Sequence, residues 1–235
     1  RRRLPEDLNK FVFNAGRART LALYEDLVFF TAADGYVVAL DARTGSLRWE
    51  TMAHDYKTGA QHTSGPIVAE DKIISGRSCP NAETTRSGCF IVAHDARTGR
   101  ELWKFYVTAA PGEPGGDTWG DLPVEQRMAS PWGLPGSYDP VRKLVYWGVA
   151  NPRPHTRMKR HGRVDAVARE APAELYSNST VALDPETCKL AWYYQHLPGD
   201  DWDSDHTHDR MLLRTPFNPD PGAVKWINPR IPRGQ

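Results

Sequence analysis

The sequence predicts an all-β protein, a β-propeller of four-stranded blades joined by docking tryptophans. Three observations carry this reading. An eleven-residue motif occurs three times, as Ala39-Leu40-Asp41-Ala42-Arg43-Thr44-Gly45-Ser46-Leu47-Arg48-Trp49, as Ala93–Trp103 and as Ala182–Trp192. Short apolar runs broken by turn residues precede each copy. The 235 residues hold 8 Trp, 19 Gly and 19 Pro, a mixture that favours sheets and turns over helical bundles.

Each part of the motif has a physical reason. The apolar run ending in Ala-x-Asp is a strand. In Asp-x-x-Thr-Gly the Asp and Thr side chains can bond nearby backbone groups, and Gly supplies positive φ, so the segment is a hairpin turn. The Trp four residues after the Gly is a flat group that can pack between neighbouring sheets and spend its N–H on a backbone carbonyl. In the third copy Cys188 stands at the Gly position. A β-carbon at positive φ costs about 1 kcal/mol, so that turn is expected to be strained.

Further strands precede each motif. Leu27–Ala32, the turn Ala33-Asp34-Gly35 and Tyr36–Asp41 read as strand, turn, strand. Pro66–Val68, Glu70-Asp71 and Lys72–Ser75 read likewise, as does Ser137–Pro140 leading into Leu144–Gly148. Repeated four-stranded meanders suggest propeller blades, at about 20–54, 64–108 and 137–197. The motif Asp residues are spaced by 54 and then 89 residues. The longer interval holds two insertions, 111–127 and 152–174. Long loops on a rigid scaffold often carry function, and they can equally be variable surface.

The net charge of +1 excludes a strong field toward nucleic acid or acidic lipid. No run of 18 apolar residues is present. Arg1-Arg2-Arg3 is a short solvated run, and no signal peptide is visible. With no initiator Met and no closing element at Ile231–Gln235, both ends read as cut, and about three or four blades make an incomplete ring. Cys79 and Cys89 flank a short polar loop and could form a disulfide, which implies an oxidising compartment. Cys188 is then left over.

The motif resembles the tryptophan-docking motif of pyrroloquinoline quinone (PQQ)-dependent alcohol dehydrogenases, which are eight-bladed propellers. Asn178–Asp184 running into Trp192–His196 resembles the strand pair before that family's catalytic loop. Pro198-Gly199-Asp200-Asp201-Trp202-Asp203 resembles the loop itself. Tyr138-Asp139-Pro140 followed by Val145–Pro152 resembles the strand that ends on a metal-binding Asn. These segments stand in the family's order, and the likeness runs from about Arg19 to Arg214.

The resemblance implies roles residue by residue. Asp203 is the expected general base for the alcohol proton and also a metal ligand. Asn151 is an expected metal ligand through its amide oxygen, a hard donor suited to Ca²⁺. Glu83 is the candidate for a further ligand, in a loop that departs from the family's Gly-rich pattern by one inserted residue. Asp205, two residues after Asp203, resembles the signature of lanthanide-dependent members, because a trivalent ion gains from one more anionic oxygen. Trp132 resembles the floor beneath the quinone ring. Arg19 resembles the Arg that pairs with a cofactor carboxylate, and Thr63 and Ser78 match positions that hydrogen-bond PQQ. The vicinal Cys pair of many members is absent, since Phe13-Asn14-Ala15-Gly16 stands in its place. His206, His208 and Asp209 form a His-x-His pattern without neighbouring Cys ligands, which points away from zinc.

The resemblance therefore implies a periplasmic oxidoreductase that turns an alcohol into an aldehyde or ketone. Its cofactors are PQQ and either Ca²⁺ or a lanthanide ion, and its electron acceptor is one such as a c-type cytochrome. Two alternatives stand beside it: a non-catalytic propeller used as a scaffold, and a degenerate member that binds a ligand without turnover.

Overall fold

The computed structural model describes residues 3–13, 19–79, 89–162 and 172–212. Three four-stranded antiparallel sheets follow one another along the chain. The first holds β1 (Ala22–Tyr24), β2 (Leu27–Thr31), β3 (Tyr36–Asp41) and β4 (Leu47–Met52). The second holds β5 (Pro66–Ala69), β6 (Lys72–Arg77), β7 (Phe90–Asp95) and β8 (Glu101–Tyr106). A two-stranded ribbon pairs β9 (Met128–Ala129) with β12 (Pro152–Arg153). The third sheet holds β10 (Ser137–Asp139), β11 (Leu144–Gly148), β13 (Ser179–Leu183) and β14 (Leu190–Gln195). A one-turn helix, α1 (Arg157–His161), lies in the insertion between β11 and β13. Strand order within each sheet follows sequence order, as a propeller blade requires.

The repeated motif builds the same joint each time. Asp41 Oδ1 accepts from Arg43 N (3.0 Å), Thr44 N (2.8 Å) and Thr44 Oγ1 (2.9 Å). Asp95 does the same with Arg97 N, Thr98 N and Thr98 Oγ1. Asp184 accepts from Glu186 N and Thr187 N. The turn residues Gly45, Gly99 and Cys188 have φ of 71°, 73° and 62°. The third turn thus takes the left-handed conformation with a β-carbon in place. A register shift lies just before each turn, at Ala39/Leu40, Ala93/His94 and Ala182/Leu183.

The tryptophans then join one blade to the next. Trp49 Nε1 donates to Ala96 O at 3.0 Å, and Trp103 Nε1 donates to Pro185 O at 2.8 Å. Both acceptors are the residue after the motif Asp of the following blade. Lys72 adds an ion pair to Glu186 at 2.5 Å between the second and third sheets. The apolar faces between sheets form two cores. Phe29, Val37, Ala39 and Ile73 fill the first interface. Ile74, Ile91, Val145, Trp147 and Val181 fill the second. Each fully buried Phe, Ile or Val side chain among them is worth about 1.5–3 kcal/mol relative to exposure.

Cys79 and Cys89 are joined by a disulfide that brackets the loop after β6. Cys188 is a free thiol, and burial pushes it up to about 11. Among the described residues no helix is long and apolar enough to cross a membrane.

Candidate active site

The candidate site residues lie on segments that follow β11 and β14, on the loop that carries Trp132 and on the segments before β1 and β5. β11 ends at Gly148, and the chain continues through Ala150 to Asn151, which is 1% exposed. Asn151 Nδ2 donates to Pro152 O at 3.3 Å and lies 2.9 Å from His155 Nδ1. Asn151 Oδ1 is buried and has no hydrogen-bond partner. The nitrogen is committed and the oxygen is free, which is the arrangement that lets an amide serve a cation. An unpaired buried carbonyl costs about 1–3 kcal/mol, so this oxygen is expected to gain from a ligand.

The second contribution comes from the loop after β14. Asp200 folds it: its Oδ1 accepts from Trp202 N at 2.8 Å and its Oδ2 from Ser204 N at 2.7 Å. Burial raises this carboxyl, but bonds from Asn178, Trp202 and Ser204 outweigh it and hold Asp200 below the usual carboxylate range. Asp203, between the two bonded amides, has φ of 62°. Its side chain is 52% exposed, and its Oδ1 lies 2.9 Å from His155 Nδ1. That nitrogen donates to Asp203 when it carries the ring proton and accepts from Asn151 when Nε2 does.

Asp205 turns inward. Burial, then the negative charge of Asp203, raises its carboxyl above the usual range. The nearby Trp132 side chain, the charge of Arg153 and the Asn151 backbone N–H oppose the rise. Its Oδ1 is buried without a partner. The Asp203 and Asp205 carboxyls and the free Asn151 amide oxygen are all oxygen donors, the chemistry that fits a hard cation such as Ca²⁺ or a lanthanide. Among the described residues no three His, Cys, Asp or Glu side chains by themselves form a metal cage. Glu83, the expected further ligand, lies outside the described residues.

Trp132 connects this cluster to the expected cofactor residues. Thr63 Oγ1 donates to Trp132 O at 2.7 Å. Arg19 Nη1 donates to Gly133 O at 2.7 Å, with its guanidinium 5.1 Å from the Trp132 ring centroid. Gly133 is required here: a β-carbon on it would lie 1.9 Å from Thr207 Oγ1, so the loop after Asp205 packs directly on its backbone. Arg19, Thr63, Trp132, Asn151, Asp203 and Asp205 therefore form one connected set. Ser78 is separately engaged, since its Oγ accepts from Gln61 N at 2.9 Å. The His206 ring stacks on His196 at 4.8 Å and His206 Nδ1 contacts Ser204 O, so this His braces the loop. His155 and Asp200 were not singled out from the sequence. His155 meets Asp203 from a distant segment, which no local pattern announces, whereas Asp200 bonds the nearby Trp202 and Ser204 amides within the segment that resembles the family's loop.

The family model for the PQQ β-propeller domain of glucose, ethanol and alcohol dehydrogenases matches residues 50–224. The chain belongs to this family. Quinohemoprotein alcohol dehydrogenase ADH IIB of Pseudomonas putida is 34% identical over 231 residues, covering 90% of this chain and 31% of that protein. The lanthanide-dependent methanol dehydrogenase of Methylacidiphilum fumariolicum is 30% identical over 213 residues, covering 83% of this chain and 33% of that protein. A solved europium-containing methanol dehydrogenase superposes with a TM-score of 0.68 at 29% identity, over 81% of this chain and 34% of that one. The chain thus spans about a third of the length of the curated relatives it matches. The blades described above are those of a PQQ propeller.

Proposed function

We propose that this chain carries the cation-binding side of a PQQ-dependent alcohol dehydrogenase active site, with Asp203 as general base. One observation carries the reading: the free, buried oxygen of Asn151 stands with Asp203 and Asp205 on the loops that also fix Trp132. Relatives named as quinoprotein alcohol and methanol dehydrogenases support the same chemistry. In this reading Asn151, Asp203 and Asp205 hold the cation, with Glu83 as a further ligand. Trp132 provides a flat floor for the quinone, Arg19 faces a cofactor carboxylate, and Thr63 and Ser78 offer hydroxyls at its rim.

When bound, PQQ and its cation supply a two-electron acceptor and a Lewis acid. The residues supply the rest. Asp203 is exposed enough for an alcohol hydroxyl to reach it, and its carboxylate takes that proton as the carbon gives up its hydride equivalent. His155, in contact with Asp203, holds the carboxylate in place. The product is an aldehyde or ketone. A c-type cytochrome or similar acceptor then removes the electrons, and the protein works in the periplasm, a compartment in keeping with the Cys79–Cys89 disulfide. Asp205 makes a lanthanide a good occupant, and Ca²⁺ serves the same oxygens.

The test uses the complete gene product purified without cofactor. It is titrated with PQQ and Ca²⁺, and separately with PQQ and La³⁺, while dye-linked oxidation of a primary alcohol is followed. Turnover is expected with one or both ions. Asp205→Ala should abolish the La³⁺-supported rate if the ion is a lanthanide. An absence of both PQQ binding and turnover would leave a propeller used for binding alone.

A further inference from the structure

Arg160 and Glu174 lie in the insertion between β11 and β13, and both side chains are fully buried. A buried ion pair is a poor source of stability, because desolvating two charges costs about as much as their attraction returns. An apolar pair would fill the same volume. What an apolar pair lacks is the planar guanidinium with five N–H donors.

All five donors of Arg160 are used. Nε donates to Glu174 Oε1 at 2.6 Å, and Nη2 donates to Glu174 Oε2 at 3.0 Å. Nη1 donates to Pro154 O at 2.6 Å and His155 O at 2.7 Å. Nη2 also donates to Asp200 O at 2.7 Å. The acceptors sit on three separate segments. Pro154 and His155 follow Asn151. Glu174 precedes β13. Asp200 opens the loop that carries Asp203 and Asp205, and its carboxylate passes the restraint to the amides on either side of Asp203. A second tie joins the same segments, from the Arg157 backbone N–H to Asp201 Oδ1.

Such a link matters because Asp203 and Asp205 share a sign, and an unrestrained loop lets like charges separate. A cation site is tight when its ligands are held in place beforehand. We propose that Arg160, neutralised by Glu174, is a positioning residue that fixes Asn151 relative to Asp203 and Asp205 and thereby sets the affinity for the cation. This rests on the proposed active-site reading.

Two variants of the complete gene product separate positioning from folding. Arg160→Lys keeps the charge opposite Glu174 but has three donors and no planar fork. The double variant Arg160→Met/Glu174→Met removes both charges together, so neither is left buried without its counter-charge, while His161 Nε2 and the carbonyls of Pro154, His155 and Asp200 lose these partners. Thermal unfolding reports folding, and Tb³⁺ luminescence titration of the cofactor-free protein reports cation affinity without turnover. Both variants are expected to fold, with the Tb³⁺ Kd raised at least tenfold. The rate at limiting cation should fall and recover with excess cation, at unchanged KM for the alcohol. Folded variants that bind Tb³⁺ as tightly as the unaltered protein would overturn the positioning role. Failure of the unaltered protein to bind Tb³⁺ would instead overturn the active-site reading, and this role with it.

Discussion

Gly99→Ala tests how the blades are joined. Gly99 lies in the motif turn of the second blade at φ of 73°. A β-carbon there would stand 2.5 Å from Trp49 Cε3, 2.7 Å from Trp49 Cδ2 and 2.8 Å from Thr51 Oγ1. Two costs follow. The left-handed conformation costs a residue with a β-carbon about 1 kcal/mol. Displacing Trp49, whose Nε1 is held by Ala96 O and which packs on Phe29, adds about 1–3 kcal/mol of overpacking. The substitution should therefore destabilise by about 2–4 kcal/mol. The steric part depends on the Trp49 ring, so a double-mutant cycle isolates it. Trp49→Ala alone should cost up to about 3 kcal/mol, given that the ring is only half-buried. In the double variant the overpacking disappears, and the combined cost should fall short of the sum by about 1–3 kcal/mol. The assay is urea unfolding of the complete gene product followed by far-UV circular dichroism. Additivity within about 0.5 kcal/mol would refute the reasoning, because the ring would then not bear on Gly99.

Three further outcomes are expected. His54, His62 and His94 are buried, with His54 and His62 in edge contact at 4.7 Å, and Arg77 and Lys104 add positive charge around them. Burial, the largest cause in each, lowers His54 to about 3, His94 to about 4 and His62 well below 6.5, so all three are neutral in the folded protein. The unfolded chain binds their protons near pH 6.5, so stability is full above that pH and falls as pH drops toward 4. The slope is at most about 1.4 kcal/mol per pH unit for each His, and His94→Leu should flatten it in urea midpoints measured from pH 7 to pH 4.5; an unchanged slope would count against the burial argument. Replacing both Cys79 and Cys89 by Ala removes a cross-link of sequence separation 10 and should cost about 2.5–3 kcal/mol in the same unfolding assay run without reductant. Asp203→Asn should lower kcat by about 10²–10⁴ while PQQ uptake, read from its absorbance, persists.

The blades were legible in the sequence because their determinants are local. Asp, Thr and Gly within five residues fix a turn through bonds that the Asp carboxylate accepts inside it, and the Trp four positions on meets the next copy of the same turn. Even the departure at Cys188 was readable, since a missing Gly at a known positive-φ position has one conformational meaning. Asn151 and Asp203 were singled out by a different route: each sits in a short segment whose order along the chain matches a known family. Neither route reaches what holds those residues in place. Asp200 lies in the segment that resembles the family's loop, but that likeness does not say that its carboxylate bends the backbone around Asp203. The 152–174 insertion is basic and poor in apolar residues, a pattern shared by any solvated loop. Its Arg160 and Glu174 are nevertheless among the most buried side chains described. Their burial depends on carbonyls contributed by residues 154, 155 and 200, separated by up to 46 positions, and no window of sequence contains all of them. A candidate ligand can be singled out from its own neighbours, whereas a clamp between the two loops that carry the candidates exists only once both loops are folded.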